Sequence, residues 1–414
     1  MRIAIIGAGL TGLSAALQLK EHADITLFEK SDIGGLASSY CPGYCIEKFY
    51  HHCFSGDQIL IDTLKKLGLS NKLQWKTARV GYAVENHVYP LNTPFEILRY
   101  PYMSLSEKAK LALFTLKSRN RDFKVEDDVS AVDKIKEELG EDLFTNFFLP
   151  LLKSKFGESY GEVSYAWLLA RVAIRSNRKY RGEQLGYLKG GFHQMIEKMA
   201  QAVDIKTGEV NISKNGGFTV GSEDFDAVIY TGPLPQLEPQ LREAAKLPYI
   251  RYQSSVCALI GSRKSVTDDI YWINVRDELT FGAMVEHTNF MPLEDYGEHL
   301  IYLASYSTPE GWLYTQTDED LKNNYIKDIE KFGLRKEDIN WINIFRSTYS
   351  GPIYEKGYLS RITPYRTPVK GFYVAGMTSM PNYPERSMNG SIRSGMEVAQ
   401  VVKKDMGFES DVQI

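Results

Sequence analysis

Arg2-Ile3-Ala4-Ile5-Ile6-Gly7-Ala8-Gly9-Leu10-Thr11-Gly12 sets the fold of this chain. Ile3 to Ile6 is a short apolar run of the kind that forms a buried strand. It runs straight into Gly7-x-Gly9-x-x-Gly12, and an amphipathic helical pattern follows from Leu10 to Leu19. Strand, tight turn and helix start in that order make a dinucleotide-binding unit. Gly7 permits the sharp turn, Gly9 lets a pyrophosphate approach the backbone, and Gly12 lets helix and strand pack closely. The N–H groups around Leu10 and Thr11, at the positive end of the helix dipole, then face the phosphates. A second apolar run, Ile25 to Phe28, ends at Glu29. A carboxylate at that distance from the turn is placed to hold a ribose.

The 414 residues are 43% hydrophobic and 24% charged, an ordinary globular composition with room for two or three domains. A net charge of -3 gives no general attraction to nucleic acid or to an anionic membrane, and neither is expected as a partner. Cys41, Cys45, Cys53 and Cys257 are few for so long a chain, which suggests a reducing compartment. Cys41-x-x-x-Cys45 has neither C-x-x-C spacing nor zinc-ribbon partners, so reduced thiols and no metal site are expected. No apolar run is long enough to span a membrane. The first core strand starts at Arg2, so no signal peptide and a cytoplasmic location are expected.

Glu29-Lys30 is followed closely by Gly34-Gly35-Leu36. Two adjacent glycines there let a second backbone segment lie against a cofactor larger than a plain nicotinamide dinucleotide. The arrangement resembles the double-glycine signature of the FAD-dependent amine oxidase superfamily. That group includes protoporphyrinogen oxidases, phytoene desaturases, monoamine oxidases and UDP-galactopyranose mutases. The resemblance implies FAD as cofactor and an α/β fold: a Rossmann-like FAD-binding domain of the double-glycine flavoprotein type, a helical insertion and an α+β substrate domain. Many members carry arginine where Leu36 stands.

A resemblance to the mutases continues through Lys48, His52 and Phe54, which match a Lys, a Gly-Ala-His and a Phe beside the flavin ring. Tyr50 and His51 replace the Gly and Ala. His52 is therefore expected in the active site, where an imidazole suits proton transfer near neutral pH, with a packed histidine as the alternative. From Ser104 to about Arg178 the pattern is helical, with Leu105, Ala109, Leu113 and Leu116 at helical spacing. Within it, Arg171 and Arg175 stand four apart on one helical face, a spacing that suits a pyrophosphate or carboxylate. The mutases have a similar basic pair here, one of which holds the nucleotide-sugar diphosphate. The alternative is salt bridging to Glu158, Glu162 or the acidic runs.

The chain then returns in β-like segments at 204–206, 210–212 and 217–220, ending at Asp226 to Pro233. The superfamily resemblance implies that Val210 meets the adenine and that Thr231 closes the last core strand beside the cofactor. Strands are expected at 255–261, 279–285 and 300–306, with a helix at 318–332. The aromatics there, including Tyr271 and Trp272, are read mainly as core. Finally come the short strand into Gly376-Met377, then Tyr383, Arg386, and a helix starting at Met388 with Ser391 in its first turn. By resemblance, Gly376 closes the pyrophosphate site and the helix N-terminus points at the pyrimidine edge of the flavin. Met377 stands where a mutase has arginine. Tyr383 falls near the mutases' paired tyrosines, and Arg386 supplies a displaced positive charge.

The expected division is a discontinuous FAD-binding domain (1–68 with 187–246 and 351–414), a mainly helical insertion (69–186) and an antiparallel-sheet substrate domain (247–350). The expected function is an FAD-dependent oxidoreductase that moves hydride from a small or hydrophobic substrate to flavin N5. The alternatives are a UDP-galactopyranose mutase-like enzyme using reduced FAD, and a non-catalytic flavin-binding protein. The expected partner is a small-molecule substrate, with a nucleotide-sugar among the alternatives. The sequence sets no oligomeric state.

Overall fold

The computed structural model describes residues 1–118, 121–174, 178–179 and 182–408. Its centre is a five-stranded parallel sheet, in the order Asp204–Thr207, Asp24–Glu29, Arg2–Ile6, Ala227–Tyr230, Phe372–Val374. The strand that opens the chain is the middle one, and Ile3 and Ile5 are fully buried, as an apolar run flanked by strands on both sides requires. All five strands end on the same edge, and ligands of open parallel sheets bind outside that carboxyl edge.

Two helices pack on this sheet and on each other. The first, Leu10–Leu19, follows directly from the glycine turn. The last, Met388–Asp405, buries Ile392, Gly395, Val398, Ala399 and Val402 on one face. Ser387 caps it by accepting the N–H of Gly390 at 2.9 Å. The Thr11 and Ser14 hydroxyls donate to the carbonyls of Ser391 and Ile392 at 3.0 and 2.9 Å. Two helix N-termini from opposite ends of the sequence are thereby pinned together.

A second, seven-stranded sheet has the order Ile339–Pro352, Tyr252–Ser262, His299–Ser307, Ala283–Glu286, Trp272–Val275, Val80–Val84, His87–Pro90. It is antiparallel except where Trp272–Val275 meets Val80–Val84. The hairpin at 80–90 turns at Glu85 and Asn86, both with positive φ (52° and 62°). That is the pairing a two-residue hairpin turn favours. Helices between Pro94 and Ile174 pack beside this sheet.

In Leu105–Ser118 the periodic apolar residues face outward. Leu105, Leu113 and Leu116 are exposed, whereas Lys108, Phe114 and Ser118 are buried. Periodicity identified the helix but not its buried side. Val210 lies in the loop before the strand Ile212–Asn215, not within a strand.

The thiol expectation is corrected by the structure: Cys41 and Cys45 form a disulfide across the loop between Ser39–Tyr40 and Ile46–Glu47. The two-stranded pairing brings the loop ends together, which linear spacing does not reveal. Only Cys53 and Cys257 are free, both buried. The cysteine argument for a reducing compartment therefore loses its support. Among the described residues no helix is long and apolar enough to cross a membrane.

Candidate active site

The glycine turn and the double glycine meet. The Gly34 N–H donates to the Ala8 carbonyl at 2.8 Å, and Gly9 and Gly34 form an isolated parallel bridge. Leu36 follows in a short 3-10 turn, Gly35–Ala37. Gly12 is dictated by space, since a Cβ there would stand 1.9 Å from the Gly7 carbonyl oxygen. Gly9 is the opposite case: nothing lies within 4 Å of where its Cβ would be. Gly9 also provides no side-chain cap to the helix it starts, leaving first-turn N–H groups around Leu10 and Thr11 for an outside acceptor. Open space over an uncapped helix N-terminus fits the pyrophosphate of FAD.

Glu29 ends its strand and is buried. Its carboxylate accepts the Ala8 N–H at 2.8 Å and the Ser31 N–H at 2.9 Å, which fixes it beside the turn. Lys30 is exposed next to it. The loop carrying Val210 leaves from the same place, because the Gly208 N–H donates to the Glu29 carbonyl at 2.8 Å. Thr231 braces the turn from behind, its hydroxyl donating to the Ile6 carbonyl at 2.8 Å. Across the sheet edge, the Gly376 N–H is held by Ser379 and Ser394 at 3.1 and 3.0 Å, and Met377 is half-buried after it. Met388 and Ser391 occupy the first turn of the last helix. All sixteen cofactor-site residues expected from the sequence thus lie along the carboxyl edge of the parallel sheet or on the two helices and loops that meet there.

The expected chemistry-bearing residues divide. His52 lies with its Nδ1 3.1 Å from the Tyr271 hydroxyl, edge-on to Phe54, Tyr271 and Trp272. His51 lies with its Nδ1 2.6 Å from the Phe49 carbonyl, and burial, reinforced by the positive charge of Arg386, pushes it down to about 4. It is neutral at pH 7. Arg171 pairs with Glu385 at 3.3 Å rather than with Glu158 or Glu162, and Glu385 also accepts the Trp167 indole N–H at 2.6 Å. Arg175 lies outside the described residues. The Tyr383 hydroxyl donates to Asp127 at 2.5 Å, and its ring stacks on Tyr358.

Around Arg171 the structure assembles groups that sequence spacing left apart. The Tyr50 and Tyr306 hydroxyls are 2.8 Å from each other. The Lys155 ammonium sits 4.1 Å from the centre of the Tyr306 ring. Burial opposes ionisation of Tyr306, but Lys155 and Arg386 outweigh it and hold the phenol below its usual range. Burial likewise opposes the charge of Glu385, and Arg171, Lys155 and Arg386 overcome it, leaving the carboxyl below the usual range. Tyr306 and Lys155 gave no signal in sequence: one reads as a strand aromatic, the other as a solvated helix charge.

The comparisons agree with this geometry. The sequence profile of the family described as flavin containing amine oxidoreductase matches residues 10–403. Coproporphyrinogen III oxidase of Staphylococcus aureus (strain NCTC 8325 / PS 47) is 27% identical over 248 residues, 53% of this chain and 52% of that one. The chain thus spans about half the length of this curated relative. Among solved structures, a candidate protoporphyrinogen oxidase from Exiguobacterium sp. 255-15 superposes with a TM-score of 0.77 at 20% identity, covering 98% of this chain and 99% of that one. Reduced UDP-galactopyranose mutase gives 0.72 at 17% identity, covering 99% and 96%. These structural likenesses carry the fold alone. The family match spans nearly the whole chain, and on it the protein belongs to the flavin containing amine oxidoreductase family.

Proposed function

We infer that this protein is an FAD-dependent oxidoreductase that oxidises a small or hydrophobic substrate by removing hydride from a carbon centre. The single observation that carries the reading is the convergence of two helix N-termini beside the open space over Gly9, within a chain that a flavin oxidoreductase family matches over residues 10–403. When bound, FAD supplies the ring that accepts the hydride.

The chain's own residues supply the rest. Glu29 would hold the ribose, with Lys30 and Val210 on the adenine side. Gly7, Gly9, Leu10, Thr11 and Gly12 present backbone to the pyrophosphate, and Thr231 keeps that turn in place. Gly34, Gly35 and Leu36 would line the cofactor from a second side, and Gly376 and Met377 from a third. Met388 and Ser391 lie at a helix N-terminus whose positive potential would favour negative charge on a bound flavin. His52, oriented by Tyr271, moves a proton to or from the substrate. The aromatic wall of Tyr50, Trp272 and Tyr302 keeps water from the reacting carbon.

The test is an anaerobic panel on the purified yellow protein. The donors are an amine, a reduced tetrapyrrole of the kind one relative's name carries, and a prenyl compound; UDP-hexoses complete the panel. Bleaching of the oxidised flavin by one of the C–H donors is expected. Isomerisation of a UDP-hexose by pre-reduced protein, without net flavin oxidation, would instead establish mutase chemistry.

A further inference from the structure

The Cys41–Cys45 disulfide takes no part in the proposed reaction, yet its position is not that of a buried structural staple. Cys41 is exposed, as are Pro42 and Gly43 after it, and Cys45 is half-buried. The free cysteines are of another kind. Burial pushes the Cys53 thiol up to about 12 and raises Cys257 as well, so both are unreactive. The ring that the disulfide closes holds Tyr44, whose hydroxyl donates to Glu298 at 2.7 Å. Further along the same segment, the Tyr302 hydroxyl donates to the Glu47 carbonyl at 2.6 Å. Further still, the Tyr50 and Tyr306 hydroxyls lie 2.8 Å apart. Residues 44, 47 and 50 thus meet 298, 302 and 306, rung by rung along the strand His299–Ser307. Trp272 is edge-on to both Tyr50 and His52, so the last rung stands against the group placed for proton transfer. The strand side of the first rung is fixed, because Glu298 also accepts from Asn340 and the Trp341 indole, both at 2.8 Å. The loop side depends on the ring, since the flanking backbone ladder is only Ser39 with Glu47 and Tyr40 with Ile46.

We propose that the Cys41–Cys45 disulfide is a redox modification site opened by a dithiol, and that its state sets how firmly the segment carrying Tyr50 and His52 is held on the sheet. One thiolate of the dithiol attacks the Cys41 sulfur, the Cys41–Cys45 bond breaks, and Cys45 leaves as a thiolate that takes up a proton. The second thiol of the donor, deprotonated, attacks the mixed disulfide, and Cys41 leaves and is protonated in turn. Two electrons and two protons pass to the protein, and the dithiol becomes a disulfide; an oxidised dithiol runs the exchange backwards. Opening the ring gives residues 41–45 more conformations and weakens the Tyr44 rung. The loosening passes along the ladder of contacts to Tyr50. The exchange chemistry stands by itself, and only its effect on turnover rests on the oxidoreductase reading.

The experiment treats the folded holoprotein with dithiothreitol in the dark under nitrogen, alkylates it with iodoacetamide and locates the label by mass. Label on Cys41 and Cys45 after dithiothreitol, none there before it, and none on Cys53 or Cys257 is expected. Amide hydrogen exchange is then compared in oxidised and reduced protein. Residues 46–54 should exchange about threefold faster or more once the disulfide is open, and return to the oxidised rate with oxidised dithiothreitol. Cys41→Ser should show the fast exchange whether or not dithiothreitol is added. Tyr44→Phe, which keeps the disulfide and removes the first rung, should show it in the oxidised protein. Flavin bleaching by a C–H donor should slow by about threefold or more in reduced protein and in Cys41→Ser, with FAD content unchanged. Absence of label on Cys41 and Cys45 after dithiothreitol, or label there without it, would overturn the proposal. So would exchange in 46–54 that is equal in oxidised protein, reduced protein and Cys41→Ser. Failure of the oxidoreductase reading is separate: no donor bleaches the flavin, while labelling and exchange still report the state of the disulfide.

Discussion

The carboxylate of Glu29 accepts the backbone N–H of Ala8 at 2.8 Å, joining the end of the second strand to the glycine turn that follows the first. Ala8 is fully buried, so this N–H has no recourse to water if the acceptor is removed. Glu29→Ala should therefore cost about 1–3 kcal/mol in urea unfolding of the FAD-free protein. It should also weaken FAD retention on dialysis. Glu29→Gln, which keeps one acceptor, should fall between the variant and the wild type in both measurements. Full stability with full FAD retention in Glu29→Ala would remove the residue from both roles.

Tyr383 is expected from sequence near the substrate, yet its hydroxyl is spent on Asp127 at 2.5 Å, and Asp127 also accepts the Leu359 N–H at 2.9 Å. Tyr383→Phe should destabilise the protein by about 1.5–3 kcal/mol, the range for a hydrogen bond to a charged group. In activity assays kcat/KM should stay near wild type. A large fall in kcat with unchanged unfolding midpoint would place the hydroxyl in the reaction instead.

Glu286 is fully buried at the end of its strand, accepting from Ser265 and from the N–H groups of Val266 and Thr267, with His299 3.8 Å away. Burial outweighs those donors and pushes its carboxyl up to about 7, against 4.5 for an ordinary glutamate. Between those values the native state binds more protons than the unfolded state, so stability falls as pH rises through that window. The contribution is on the order of 3 kcal/mol between pH 4 and pH 8. Glu286→Gln should flatten that slope in unfolding measured across pH. An unchanged slope would show that Glu286 ionises normally.

The cofactor half of the site was legible because its signals are local. A strand, a glycine turn, a helix and an acid follow one another within thirty residues, and each part has a pattern that backbone geometry imposes. The last helix was legible for the same reason. The polar cluster was not, because Tyr50, Lys155, Tyr306 and Glu385 come from a loop, a helix, a strand and a loop with no common spacing. Only the tertiary fold brings them together. The outward stripe of Leu105, Leu113 and Leu116 shows the limit of periodicity, which gives an element and not the direction it faces. The Cys41–Cys45 disulfide shows the limit of cysteine spacing, which says nothing about whether a hairpin closes the loop.

The most direct test of the oxidoreductase account is anaerobic mixing of the holoprotein with a C–H donor that bleaches it, in ordinary form and deuterated at the reacting carbon. The account predicts loss of the oxidised flavin band in step with one equivalent of oxidised product, slowed by deuterium because that bond breaks as the flavin is reduced. A flavin band that no donor bleaches, in protein that isomerises a nucleotide-sugar only after chemical reduction, would contradict it.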